Sequence, residues 1–170
     1  MSTCHTFVPS PLGDLLVVAD SRAVVGLYFP GHWYPPADDT TGRLVEVDRH
    51  DVLAQASAEL GEYFDGRRWS FDVEVRATGS ARSERVWDRL RSIPYGSTVT
   101  YGEIAAELGD RRWAQLVGQA VGHNPVSIMI PCHRVVGADG SLTGFAGGLD
   151  RKRRLLELEE PDEVRMQRLF

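Results

Sequence analysis

The sequence predicts an α/β N-terminal half joined to a mainly helical C-terminal half. Two β-branched apolar runs stand close together before residue 30, and apolar residues recur at helical spacing after residue 80. The small polar stretch Ala77-Thr78-Gly79-Ser80 separates the two regimes. The expected organisation is a domain over residues 1–78, a second over 79–160 and a tail over 161–170. At 170 residues the chain is long enough to bury a real core.

Leu15 to Ala19 and Val24 to Phe29 read as strands flanking Asp20-Ser21-Arg22, a hairpin. Pro30 to Asp48, rich in proline, glycine and acidic residues, reads as a loop. Asp51 is placed to cap a helix running to about Phe64, with Leu53, Ala56, Leu60 and Phe64 near one face. Gly66 ends it, and Phe71, Val73 and Val75 alternate as a further strand. In the second half, Ser83 to Arg91 carries Val86, Trp87 and Leu90 on one helical face, and Pro94-Tyr95-Gly96 makes a turn. Thr100-x-x-Glu103 is a capping box that opens a helix through Leu108. Gly109-Asp110 breaks that helix, and a second follows from about Arg112 to Val121, a helix-turn-helix pattern. Its buried stripe is expected to be Trp113, Leu116, Val117, Ala120 and Val121. Off the stripe, Ala114, Gly118 and Gly122 leave a bare ridge, suited either to close helix packing or to lying against a nucleic-acid groove.

With 42% hydrophobic and 25% charged residues, the composition is that of a soluble globular protein. No run approaches the ~20 apolar residues of a membrane span, and MSTCHTFVPS lacks the pattern of a secretory signal. Cytoplasmic residence and no membrane partner are expected. The net charge of -5 argues against a gross electrostatic grip on nucleic acid, yet the charge is uneven. Residues 1–80 hold 6 Lys+Arg against 12 Asp+Glu, whereas residues 81–160 hold 11 against 10. The clusters Arg111-Arg112 and Arg151-Lys152-Arg153-Arg154 read first as solvated surface, and they permit a nucleic-acid contact. The two cysteines, Cys4 and Cys132, form no C-x-x-C unit, and Cys4-His5 is too thin for zinc, so no metal is expected.

Ile130-Pro131-Cys132-His133-Arg134-Val135 carries the chemistry. A thiol next to a proton acceptor is a candidate nucleophile, because the thiolate attacks electrophiles. An unperturbed thiol is only about 3% ionised at pH 7, and a pKa near 7 would raise that roughly fifteenfold. Activation is therefore a modest effect, and a hard reaction at this sulfur needs positioning and leaving-group stabilisation too.

From Val86-Trp87 to Glu159 the chain resembles the O6-alkylguanine-DNA alkyltransferases. The resemblance rests on Ile93-Pro94-Tyr95-Gly96, Tyr101-Gly102-Glu103-Ile104-Ala105, Val117-Gly118, Gly122-His123-Asn124-Pro125, Pro131 to Val135, Gly144-Phe145-x-Gly147-Gly148, Lys152 and Leu155-Leu156, all in register. Ser10-Pro11-Leu12-Gly13 extends it loosely into the first half. It implies a ribonuclease H-like N-terminal domain and a winged-helix-like C-terminal one. It also implies irreversible, single-turnover repair of O6-alkylguanine, and of O4-alkylthymine, in double-stranded DNA after base flipping, by a monomer with no cofactor and no obligate protein partner. Cys132 would accept the alkyl group, with His133 relaying its proton through water to Glu159 and Asn124 ordering the turn. Tyr101 would donate to the purine as charge builds, and the backbone at Cys132 and Val135 would hold the guanine amino group. Phe145, Ala146 and Gly147 would line the base site, with the Ala146 amide facing O6. Tyr101, Gly102, Ala114, Gln115, Gly118, Arg111 and Arg134 would form the DNA face.

The second helix departs from the family pattern, where an arginine inserts into the base stack. Here Gln115 holds that position, shorter and uncharged, and Arg82 lies where many members carry phenylalanine. Arg111, four residues before Gln115, is expected to share its face and partly substitute. Three rivals stay open: a lesion-binding sensor with weak or no duplex repair, a cysteine hydrolase using Cys132, His133 and Glu159, and an alkylation-responsive regulator.

Overall fold

The computed structural model describes residues 2–169. Residues 1 and 170, which begin the first expected domain and end the expected tail, lie outside the described residues.

The N-terminal sheet has four strands in the order β3-β2-β1-β4. They are β1 (Cys4–Val8), β2 (Leu15–Ala19), β3 (Val24–Tyr28) and β4 (Arg43–Leu44). β2 pairs antiparallel with both β1 and β3, and β4 pairs parallel with β1. β2 and β3 fall where their β-branched runs predict, although β3 stops at Tyr28. The turn between them is built by Asp20, whose Oδ1 accepts from the amides of Arg22 (2.8 Å) and Ala23 (2.9 Å). β1 and β4 carry no comparable apolar run.

Helix α1 (Asp51–Phe64) packs Leu53, Ala56 and Leu60, all fully buried, under this sheet. Its cap is His50, whose ring accepts from the Leu53 amide, and not Asp51, which already lies inside the helix. The inward face passes through Tyr63 rather than Phe64. The expected strand at Phe71–Val75 is corrected as well. Its inward alternation is real, but only Val75 bridges the sheet, at Val24. The buried Glu59 carboxylate instead takes the amides of Asp72 (3.0 Å) and Val73 (3.1 Å), so those donors are unavailable to a ladder.

The C-terminal half contains α2 (Ala81–Arg91), β5 (Val99–Thr100), α3 (Tyr101–Leu108), α4 (Ala114–Gly122), β6 (Val135–Val136), α5 (Leu149–Glu159) and α6 (Asp162–Leu169). Ser80 caps α2, which begins at Ala81, two residues before the expected start. The Thr100–Glu103 capping box forms reciprocally, and β5 and β6 pair in parallel. Trp87 locks α2 to α4 by donating from its indole to the Ala120 carbonyl at 2.8 Å.

The helix-turn-helix forms with a later start to its second α-helix. Arg111–Trp113 is a one-turn 3-10 helix capped by Asp110, and α4 begins only at Ala114. Trp113 and Leu116 keep the side of Val117, the three lining one groove with Arg82, Arg85 and Val86 of α2, but they lie at its open edge. Trp113 is 43% exposed and Leu116 37%, against the expectation that both are buried, whereas Val117, Ala120 and Val121 are buried. Gly118 and Gly122 each face an aromatic ring. A Cβ on Gly118 would stand 3.7 Å from Tyr101, and one on Gly122 3.9 Å from Tyr34. Among the described residues no helix is long and apolar enough to cross a membrane.

Candidate functional site

The cysteine sits on a turn fixed from both halves of the chain. Asn124, just past α4, accepts from the Val126 amide (3.0 Å) and donates to the Ile130 carbonyl (2.8 Å). The β3 residue Leu27 donates to the Pro125 carbonyl (2.8 Å) and accepts from the Ser127 amide (3.2 Å). Ile128 is held at φ +70°, a conformation that β-branched residues rarely adopt and that persists only where the surroundings over-determine it. Cys132 then opens a buried 3-10 turn through Arg134.

Cys132 is 3% exposed, and burial pushes its thiol pKa up. The polar side chains of Asn124 and Ser127 and the nearby Lys152 charge act in the opposite direction without prevailing. The resting group is a neutral thiol, so its proton must leave during any reaction and not before it.

Behind the cysteine lies a charged cluster centred on Glu159, the last residue of α5. Its carboxylate accepts from Tyr63 Oη (2.5 Å), from His133 Nε2 (2.7 Å), and from Arg134 Nε (2.7 Å) and Nη2 (3.0 Å). Burial alone would raise the Glu159 pKa, but His133 and Arg134 hold it down at about 2. An ionised carboxylate only accepts, so His133 Nε2 carries the proton. His133 Nδ1 is thereby left as the basic nitrogen, and it is buried with no hydrogen-bond partner among the described residues. Arg134 belongs to this cluster and not to the DNA face expected for it. It is buried, donates also to the Ile93 carbonyl (2.6 Å) and lies over the Tyr95 ring.

Lys152 is a site residue that the charge pattern hides. It lies within the Arg151–Arg154 run read as solvated surface, yet it is fully buried. Lys152, Leu155 and Glu159 follow one another at helical spacing on the inner face of α5, the signal that could have found it. Its ammonium donates to the carbonyls of Val135 (2.6 Å), Thr143 (2.9 Å) and Gly144 (3.4 Å), and burial pulls its pKa down to about 8. It sits 5.9 Å from the centre of the Tyr101 ring. Tyr101 donates to the Thr143 carbonyl at 3.2 Å, and its pKa is raised by burial.

An open trough of about 540 Å³ runs along the second helix of the helix-turn-helix. Tyr101, Thr143, Gly144, Phe145 and Ala146 form one end, and Ala114, Gln115, Gly118 and Gly122 of α4 form the floor. Trp33 and Tyr34, from the loop after β3, also line it, with Tyr34 against the end of α4. Gly147 lies behind Phe145, where a Cβ would come within 2.4 Å of Phe29. Val135 is fully buried and shares its carbonyl with Lys152. Arg111 lies in the 3-10 turn before α4, and its guanidinium lies against Gly102 of α3, within 3.3 Å of where a Cβ would stand. Cys132 and His133 are thus adjacent without the direct Cys–His pairing of a hydrolase dyad, since the imidazole nitrogen not taken by Glu159 has no hydrogen-bond partner among the described residues.

These features define a class: a two-part protein that presents one buried thiol, backed by a histidine–carboxylate pair, to a ligand lying across a helix-turn-helix. Comparison with known proteins gives the family. Residues 4–77 match the 6-O-methylguanine DNA methyltransferase ribonuclease-like domain, and residues 81–161 match the DNA binding domain of the same proteins. A methylated-DNA–protein-cysteine methyltransferase of Mycolicibacterium paratuberculosis is 43% identical over 152 residues, 89% of each chain. One from Haemophilus influenzae is 38% identical, covering 92% of this chain and 86% of its own. A Mycobacterium tuberculosis O6-methylguanine methyltransferase structure superposes with TM-score 0.82 at 38% identity, covering 96% and 98% of the two chains. A structure of Mycobacterium tuberculosis OGT in complex with DNA gives 0.84 at 41%, covering 91% and 92%. The chain belongs to the 6-O-methylguanine DNA methyltransferase family.

Proposed function

We propose that this protein repairs double-stranded DNA directly, taking the alkyl group from O6 of guanine, or O4 of thymine, onto Cys132 in a single turnover. The observation that carries the proposal is the unpartnered basic Nδ1 of His133 behind a buried neutral thiol. In an in-line displacement the Sγ–C bond forms as the O6–C bond breaks. The thiol proton leaves through one water to His133 Nδ1, and the imidazolium is held by the ionised Glu159. The electron pair passes to the purine, where the Tyr101 hydroxyl donates to the developing charge. Asn124 holds the turn that carries the sulfur, while Phe145, Ala146 and Gly147 enclose the flipped base beside the backbone of Val135. Gly102, Ala114, Gln115 and Gly118 face the strand.

A thioether is not readily hydrolysed, so each chain acts once, as a monomer and without a cofactor. Intact-protein mass spectrometry after incubation with an O6-methylguanine duplex tests this. One methyl per chain, mapped to Cys132 and absent in Cys132→Ser, is the expected result. Repeated turnover or an unmodified Cys132 would overturn it.

A further inference from the structure

The rim of the trough contains an aromatic pair that the repair chemistry above does not use. Trp33 is 67% exposed and Tyr34 47%, both on the loop after β3. The loop is pinned on either side of the indole. Gly31 turns at φ +71°, the buried His32 stacks on Phe29, and the Trp33 amide donates to the Ala146 carbonyl at 2.9 Å. Tyr34 is already occupied, stacked on His123 with ring centres 3.8 Å apart. Trp33 has no such ring partner among the described residues. An exposed indole thus lines the same trough as Gln115 and Phe145, on a loop whose backbone is pinned.

We propose that Trp33 is a stacking platform for a base of the duplex next to the flipped nucleotide, supplying the face-on contact that Gln115 cannot make. The inference rests on the reading of the chain as a DNA-repair protein. Two observations favour a base over a phosphate as the occupant. An indole offers a π-face and no charge, and the loop continues into Asp38-Asp39, which would repel a phosphate.

The test compares transfer from an O6-methylguanine duplex with transfer from free O6-benzylguanine in wild type, Trp33→Ala and Trp33→Phe. The expected result for Trp33→Ala is a fall of about tenfold or more in the duplex rate relative to the free-base rate, largely restored in Trp33→Phe. Duplex affinity should fall with the slope of log K against log salt unchanged, because no phosphate contact is lost. Equal loss on both substrates would make Trp33 a wall of the base pocket and overturn the proposal, as would no loss on either. A wild-type protein that accepts benzyl but no methyl from duplex overturns the repair reading itself, and this proposal falls with it.

Discussion

At the scale of single residues, the site is a set of buried polar groups whose partners are nearly all accounted for. Breaking one partner of a buried pair costs about 3–5 kcal/mol, because the other is left uncompensated. Glu159→Gln therefore lowers stability and also slows methyl transfer by ~10²-fold or more, since the imidazolium loses its counter-charge. The Glu159 carboxyl, at about 2, lies below its unfolded value near 4.3. Its ionised form stabilises the fold above pH ~5, and that contribution, about 3 kcal/mol, is lost as the pH falls from ~4.3 to ~2. Denaturant melts at pH 6 and pH 3 should show a larger drop for wild type than for Glu159→Gln. Cys132 should react at least tenfold more slowly than Cys4 with iodoacetamide in the native protein, measured by peptide mapping, and the difference should vanish on unfolding.

At the scale of elements, α4 carries the departures that matter for DNA. Gln115→Arg should raise the duplex methyl-transfer rate while leaving transfer from free O6-benzylguanine within about twofold. Gly147→Ala and Gly118→Ala should behave oppositely. The first drives a methyl into Phe29 and loses roughly 1–3 kcal/mol, whereas the second has room beside Tyr101 and gains up to ~1 kcal/mol of helix propensity. Thermal melts of the two variants check this. Elements with a local cause were legible in the sequence: the Thr100–Glu103 capping box, the β2–β3 hairpin and the α1 core face all formed. What misled the reading was decided elsewhere in the chain. β4 exists because Arg43 and Leu44 find β1, nothing local marks Glu59 as the acceptor that dissolves a strand at Phe71–Val75, and the groove against α2 that Trp113 and Leu116 enter is left open at its edge.

At the scale of the whole molecule, several contacts join the two halves, among them three made by side chains or strands far apart in sequence. Tyr63 of α1 reaches Glu159, Leu27 of β3 brackets the Asn124 turn, and Arg151 of α5 donates to the carbonyls of Leu12 (3.0 Å) and Pro30 (2.8 Å). The motif around Cys132 was readable because its residues are contiguous, whereas Tyr63 enters from 96 positions away. Tyr63→Phe should weaken this docking by about 1–3 kcal/mol, read as a lower unfolding midpoint.

The burial of Cys132 has a further consequence for a reagent that can be fired once. Repair capacity equals the number of intact molecules in stock, so each sulfur lost to a stray oxidant or electrophile is a permanent subtraction. A neutral thiol enclosed by protein keeps its shelf life by being a poor nucleophile toward everything outside the pocket. Inertness while waiting is thus selected along with speed on the lesion, and the same walls that delay the proton's departure keep the inventory unspoiled.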